Sequence, residues 1–301
     1  MREEHVKRLL VLAGSLLLLI FALGPFGWML IVSFADRPDF LATREFSFSL
    51  QNYVDVLTSP SLHFTDYVWN SLSVSFGASF LVNLFALPAA YAISRLRFPG
   101  RILIPIVILA VSMFPQISIV GYLFDLFSRL NLVNSKIGLI FPYIAWTIPL
   151  ALWINLSYMQ QIPNDLDKAG LIDGASRWKI LSKIIIPTAL PGVFSAFLLT
   201  FIACFNEFLF ALMLSIDYTA QTLPVGIALF EGLHGEIPWG NLMAASALAS
   251  VPLIVLTLIF QKYIVGGLMG GAVKGRIRLV RKWYETSIST TGQPGKVFCL
   301  K

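Results

Sequence analysis

Residues 67–94 read YVWNSLSVSFGASFLVNLFALPAAYAIS, 28 residues without an Asp, Glu, Lys or Arg. A helix that crosses the hydrocarbon core of a bilayer needs about 20 apolar residues, so this stretch is long enough by itself. Five more charge-free runs follow the same rule, at 9–35, 102–124, 137–164, 184–206 and 237–261, each 23 to 28 residues long. Allowing for frayed ends, they predict six spans at about 9–35, 67–94, 102–124, 137–159, 186–213 and 240–262. A seventh candidate, 218–230, holds Thr219, Gln221 and Pro224 and is too short to cross.

Composition agrees with the runs. The 301 residues are 57% hydrophobic and only 13% charged, with a mean hydropathy of +0.77. A soluble domain carries about 25% charged residues, so 22 basic and 16 acidic side chains are too few to cover a soluble body of this size. A soluble enzyme and a disordered chain are both excluded. The fold class is an all-α polytopic membrane protein with six transmembrane helices. The first run is nearly twice the length of a signal-peptide core, about 7–15 residues, and reads as a retained span. Cys204 and Cys299 are far apart in this topology, and no CxxC or Cys/His cluster occurs, so no metal site is assigned. No G-x-x-x-x-G-K-[ST] sequence is present, so the chain offers no phosphate cradle of its own and is not read as an enzyme.

Basic residues set the orientation. With both termini cytoplasmic, 18 of the 22 Lys and Arg fall inside, leaving Arg37, Arg44, Arg129 and Lys136 outside. The net charge of +6 is therefore a topology signal; scattered over loops, it forms no nucleic-acid footprint. Most inside connections are short or basic. The segment 163–186 differs: it is polar, mixed in charge and long enough for a structure of its own. Asn164 is a candidate N-cap, with Asp165 and Asp167 in the first turn where the helix dipole favours anions. Leu166, Ala169 and Ile172 recur on one face. Gly174 then breaks the helix, and a second helix begins near Ser176 with Trp178, Leu181 and Ile185 at spacings of three and four. Such a unit is able to dock into a partner's groove. The plainer reading is an interfacial anchor.

Within this segment, Lys168-Ala169-Gly170-Leu171-Ile172-Asp173-Gly174-Ala175, with Pro187 twelve residues beyond, resembles the EAA loop of ATP-binding cassette (ABC) importer permeases. Lys168 stands where that family usually has Glu, and Gly170 replaces its second Ala. Three further stretches resemble the carbohydrate, maltose-type branch. They are Ala90–Arg95 with Arg97-Phe98-Pro99-Gly100, Asn206–Leu212, and Phe260–Tyr263 with the glycines of 266–275. The resemblance covers about residues 9–275. It implies a single permease domain, 1–275, followed by a basic cytoplasmic tail, 276–301, in a bacterial inner membrane. It also implies partners: a dimer of ATP-binding subunits that hold ATP and Mg, a second homologous permease and an extracytoplasmic solute-binding protein, with a sugar as cargo. In that scheme Lys168, Ala169, Gly170, Asp173, Gly174 and Ala175 couple the spans to the ATPase.

Glu207 is an acidic residue within a predicted span, and an intramembrane charge marks a functional candidate. Asn206 and Glu207 are candidates for the translocation path or its gate; the plainer role for Glu207 is an interhelical hydrogen bond. Two other function classes fit a polytopic chain. A secondary transporter would need ionisable relays in its spans, and Glu207 stands alone there. A non-transporting scaffold would need only the docking loop.

Overall fold

The computed structural model describes residues 2–36, 47–230 and 238–261. The glycines of 266–275, the tail 276–301, and Arg37, Arg44, Glu231, His234 and Glu236 lie outside the described residues. Among the described residues the structure is helical, apart from one isolated antiparallel bridge between Ala35 and Phe48. A backbone surrounded by hydrocarbon has no water to bond to, and the helix satisfies its polar groups internally. The helices are α1 (Arg2–Ser33), α2 (Gln51–Thr58), α3 (Phe64–Arg95), α4 (Leu103–Ser112), α5 (Ile117–Arg129) and α6 (Lys136–Met159). They continue with α7 (Asp165–Ile172), α8 (Arg177–Ile180), α9 (Ile186–Phe205), α10 (Leu209–Leu214), α11 (Leu223–Ala228) and α12 (Trp239–Gln261). Among the described residues, five helical stretches are long and apolar enough to cross a membrane, and α4 with α5 adds a sixth if the pair counts as one span.

Two runs depart from the straight helices expected of them. The third is interrupted between Ser112 and Ile117, where Pro115 lacks the amide hydrogen that would continue the ladder. Short-range bonds from Met113 N to Ala110 O and from Phe114 N to Val111 O close α4 before it. The fifth begins earlier than the expected residue 186. A helical stretch from Arg177 through a π turn at Leu181–Ile185 continues without a break to Phe205. It also ends earlier than 213: Asn206 folds its side-chain amide back onto Ile202 O at 2.9 Å, and a new helix begins at Leu209, its first-turn amides bonded to the Glu207 carboxylate.

The chain divides into two compact units. Among the described residues, the first draws on 2–36, 47–77, 115–143, 202–230 and 238–256, the second on 78–114, 144–201 and 257–261. In the first, Asn52 donates to Ser33 O and Ala35 O at the end of α1, and Asn70 in α3 donates to Tyr218 O and Gln221 O. Asn134 accepts from Ile216 N at 2.9 Å. These side-chain amides tie irregular backbone to helices. In the second unit, Leu87, Tyr91, Leu156, Met159, Ile180, Leu181 and Ile185 form the buried core onto which the polar inside segment folds.

Candidate functional site

The inside segment is built on two helix ends. α7 finishes at Gly174, whose φ of +73° is the left-handed conformation that glycine adopts without a Cβ penalty. Ala175 N donates to Gly170 O at 2.9 Å and Gly174 N to Leu171 O at 3.0 Å, the paired 6→1 and 5→2 bonds of a Schellman cap. The Ser176 side chain then accepts from Lys179 N at 3.3 Å and caps α8. Asn164 is helical in backbone and makes no side-chain cap, contrary to the expectation; its carbonyl accepts from Lys168 N.

Burial assigns the faces. A methyl group at Gly170 would lie 2.8 Å from Ile180 Cγ1 and 3.2 Å from Ile184 Cδ1, so α7 approaches the following helix closely enough there that a larger residue would make the Ile180 side chain shift. The stripe of Leu166, Ala169 and Ile172 is not the inward face. Leu166 is half-buried, Ala169 is exposed and Ile172 is 86% exposed; Trp178 is 68% exposed, whereas Leu181 and Ile185 are buried. Lys168 projects outward and its Nζ pairs with Asp165 Oδ1 at 2.8 Å, one turn back. That ammonium holds the exposed Asp165 carboxyl below the ordinary carboxylate range, chiefly by its hydrogen bond.

Asp167 points the other way and is 5% exposed. Tyr91 OH at the end of α3 donates to its Oδ1 at 2.8 Å, and Arg95 Nε lies 3.4 Å from its Oδ2. The same Arg95 donates through Nη2 to Met159 O at 3.0 Å and Ile162 O at 2.7 Å, where α6 ends. Deeper in this unit, Asn83 donates to Ser79 O and to Thr200 Oγ1, and Asn155 donates to Asn83 Oδ1 at 3.3 Å. In the other unit, Asn206 is exposed and Glu207 is buried. The Glu207 carboxylate accepts from Phe210 N at 2.9 Å and Ala211 N at 3.1 Å, so it caps α10 and does not sit within a continuous span.

Residues 82–269 match the family described as the binding-protein-dependent transport system inner membrane component. The chain belongs to that family. It is 54% identical over 277 residues to a trehalose/maltose transport system permease protein of Thermococcus litoralis, covering 91% of this chain and 100% of the relative. It is 36% identical to a sulfoquinovosyl glycerol transport system permease protein of Agrobacterium fabrum, covering 89% and 94% of the two chains. Its fold is shared with a chain from the crystal structure of a bacterial ABC transporter that imports the acidic polysaccharide alginate. There the TM-score is 0.69 at 21% identity, covering 86% of this chain and 97% of that one. The protein is a multi-pass inner-membrane permease.

In this permease Lys168, Ala169, Gly170, Asp173, Gly174 and Ala175 lie together on one helix and its cap, while Asn206 and Glu207 belong to the other unit. Sequence reasoning quoted Tyr91 and Arg95 as the end of a span and Asp167 as a dipole partner, and missed that the three meet. One signal was available: Tyr91 and Arg95, four apart, share a helix face beside an otherwise uncharged run. Asn83 and Asn155 were also missed, although an amide inside an apolar run needs a partner.

Proposed function

We propose that this permease is half of the translocation path of an ABC importer for a sugar of the disaccharide class, with both termini cytoplasmic. Residues 163–186 are its coupling segment: Ile172 and Trp178 seat in an apolar groove of an ATP-binding subunit, and Lys168 and Asp173 flank them. ATP hydrolysis belongs to that subunit's dimer. A second, homologous permease completes the path, and an extracytoplasmic binding protein delivers the sugar. Asn206 lines the path, with Glu207 holding the turn that presents it. The observation that carries the sugar class is the 54% identity along the whole length of a trehalose/maltose permease.

The test is purification of the assembled complex and uptake in proteoliposomes. An ATPase is expected to co-isolate, and vanadate is expected to abolish accumulation of radiolabelled trehalose or maltose. Uptake that survives ATP depletion but collapses with the proton gradient overturns the proposal in favour of a secondary carrier. Gly174→Pro, which cannot adopt a φ of +73°, is expected to abolish uptake. Retained ATPase stimulation and uptake in that variant would remove the coupling role from this segment.

A further inference from the structure

Lys168, Ala169 and Asp173 of the coupling segment are exposed, Gly170 packs inward, and the residue that fastens the segment is their neighbour Asp167. We infer that Tyr91, Arg95 and Asp167 form a latch that carries movement of α7 directly into α3 and α6, alongside the covalent route into α9. The inference rests on the coupling role proposed above and adds the path by which a push on the segment reaches the spans.

Chain connectivity alone transmits such a push poorly. α7 is joined to α6 by the short turn at 160–164, which contains Pro163, and to α8 through the Gly174 turn. Rotation at those two turns would absorb the displacement. The latch removes that freedom. Arg95 and Asp167 have side chains only 5% and 7% exposed, and a buried charge that loses its partner is strongly disfavoured, so the pair resists separation. One guanidinium engages three elements: it belongs to α3, it pairs with Asp167 of α7, and it donates to the last carbonyls of α6 at Met159 and just beyond at Ile162. Tyr91, one turn earlier on α3, adds a second bond to the same carboxylate at 2.8 Å. The Lys168–Asp165 pair has none of these properties. It is exposed and confined to one helix, so it connects nothing to the spans.

The role is one of positioning, and its readout is the sugar accumulated per ATP hydrolysed by the full complex in proteoliposomes, with radiolabelled trehalose or maltose as probe. Asp167→Asn keeps the shape and removes the charge; Tyr91→Phe removes one hydroxyl and no charge. In assembled complexes each is expected to lower the ratio at least about fivefold, the lower end of coupling factors between sites. Asp167→Glu is expected to recover part of it. A residue that merely stabilises the fold would lower the yield of complex and leave this ratio at the wild-type value, and that result overturns the latch. If Asp167→Asn does not assemble, Tyr91→Phe decides by the same criterion. Recovery of the wild-type chain with no ATPase removes the coupling role itself, and is seen before any variant is compared.

Discussion

Asp167 and Glu207 are two buried carboxylates in a chain with little charge, and their surroundings satisfy them in opposite ways. Asp167 is held by Tyr91 and Arg95, 76 and 72 residues away in sequence and on a different helix. Glu207 is held by backbone N–H groups three and four residues ahead of it. The first joins elements that the chain does not otherwise connect. The second only restarts a helix after a break. Burial and charge are the same in both cases, and the distance along the chain to the partner separates a tertiary fastener from a local cap.

This contrast ranks the substitutions. Arg95→Ala leaves Asp167 charged and buried and frees two carbonyls, and is expected to cost about 3–5 kcal/mol, read as a fall in thermal stability of the solubilised complex. Glu207→Gln keeps one acceptor for the α10 amides and is expected to cost about 1–2 kcal/mol in the same measurement. Equal losses from the two would erase the distinction. Ser176→Ala removes a neutral cap that bonds Lys179 N, and about 1 kcal/mol is expected, detected as faster hydrogen exchange over α8.

The smallest effect belongs to the exposed carboxylates outside the spans. Lys168 lowers the Asp165 pKa, and the Thr219 hydroxyl, with Asn134, lowers that of Asp217. A depressed folded pKa contributes stability that is present above the unfolded value and is lost as pH falls through the folded one. Lys168→Ala is therefore expected to move the Asp165 titration, followed by carboxyl carbon NMR, upward into the ordinary carboxylate range. An unmoved titration would show that the pair does not form in solution.

The apolar runs made the helices legible because their lengths match the bilayer, and Gly174 and Ser176 marked the ends of α7 and α8 through local chemistry alone. Local chemistry failed where the partner was distant or where two local rules competed. Leu166, Ala169 and Ile172 form a regular apolar stripe, yet the inward face of α7 is Asp167 and Gly170. A tertiary ion pair and a close helix contact outweighed the periodicity. Glu207 read as a residue inside a span because the apolar run continues past it; only the choice of its carboxylate to bond Phe210 N and Ala211 N reveals the break. Pro115 lies at a helix break, whereas Pro25, Pro88 and Pro191 lie inside unbroken helices, and sequence does not say which proline divides a helix.

The π turn at Leu181–Ile185 sets the phase between the coupling segment and the fifth span. A π turn accommodates one residue more than an α-helical path of the same length. Rewinding the same residues as ordinary α-helix would rotate everything before them by about 100° relative to α9. Asp167 would then face away from Arg95 while every side chain in the latch remained in the sequence. The winding of the stretch between Ile180 and Ile186 is thus as much a part of the proposed coupling as its side chains.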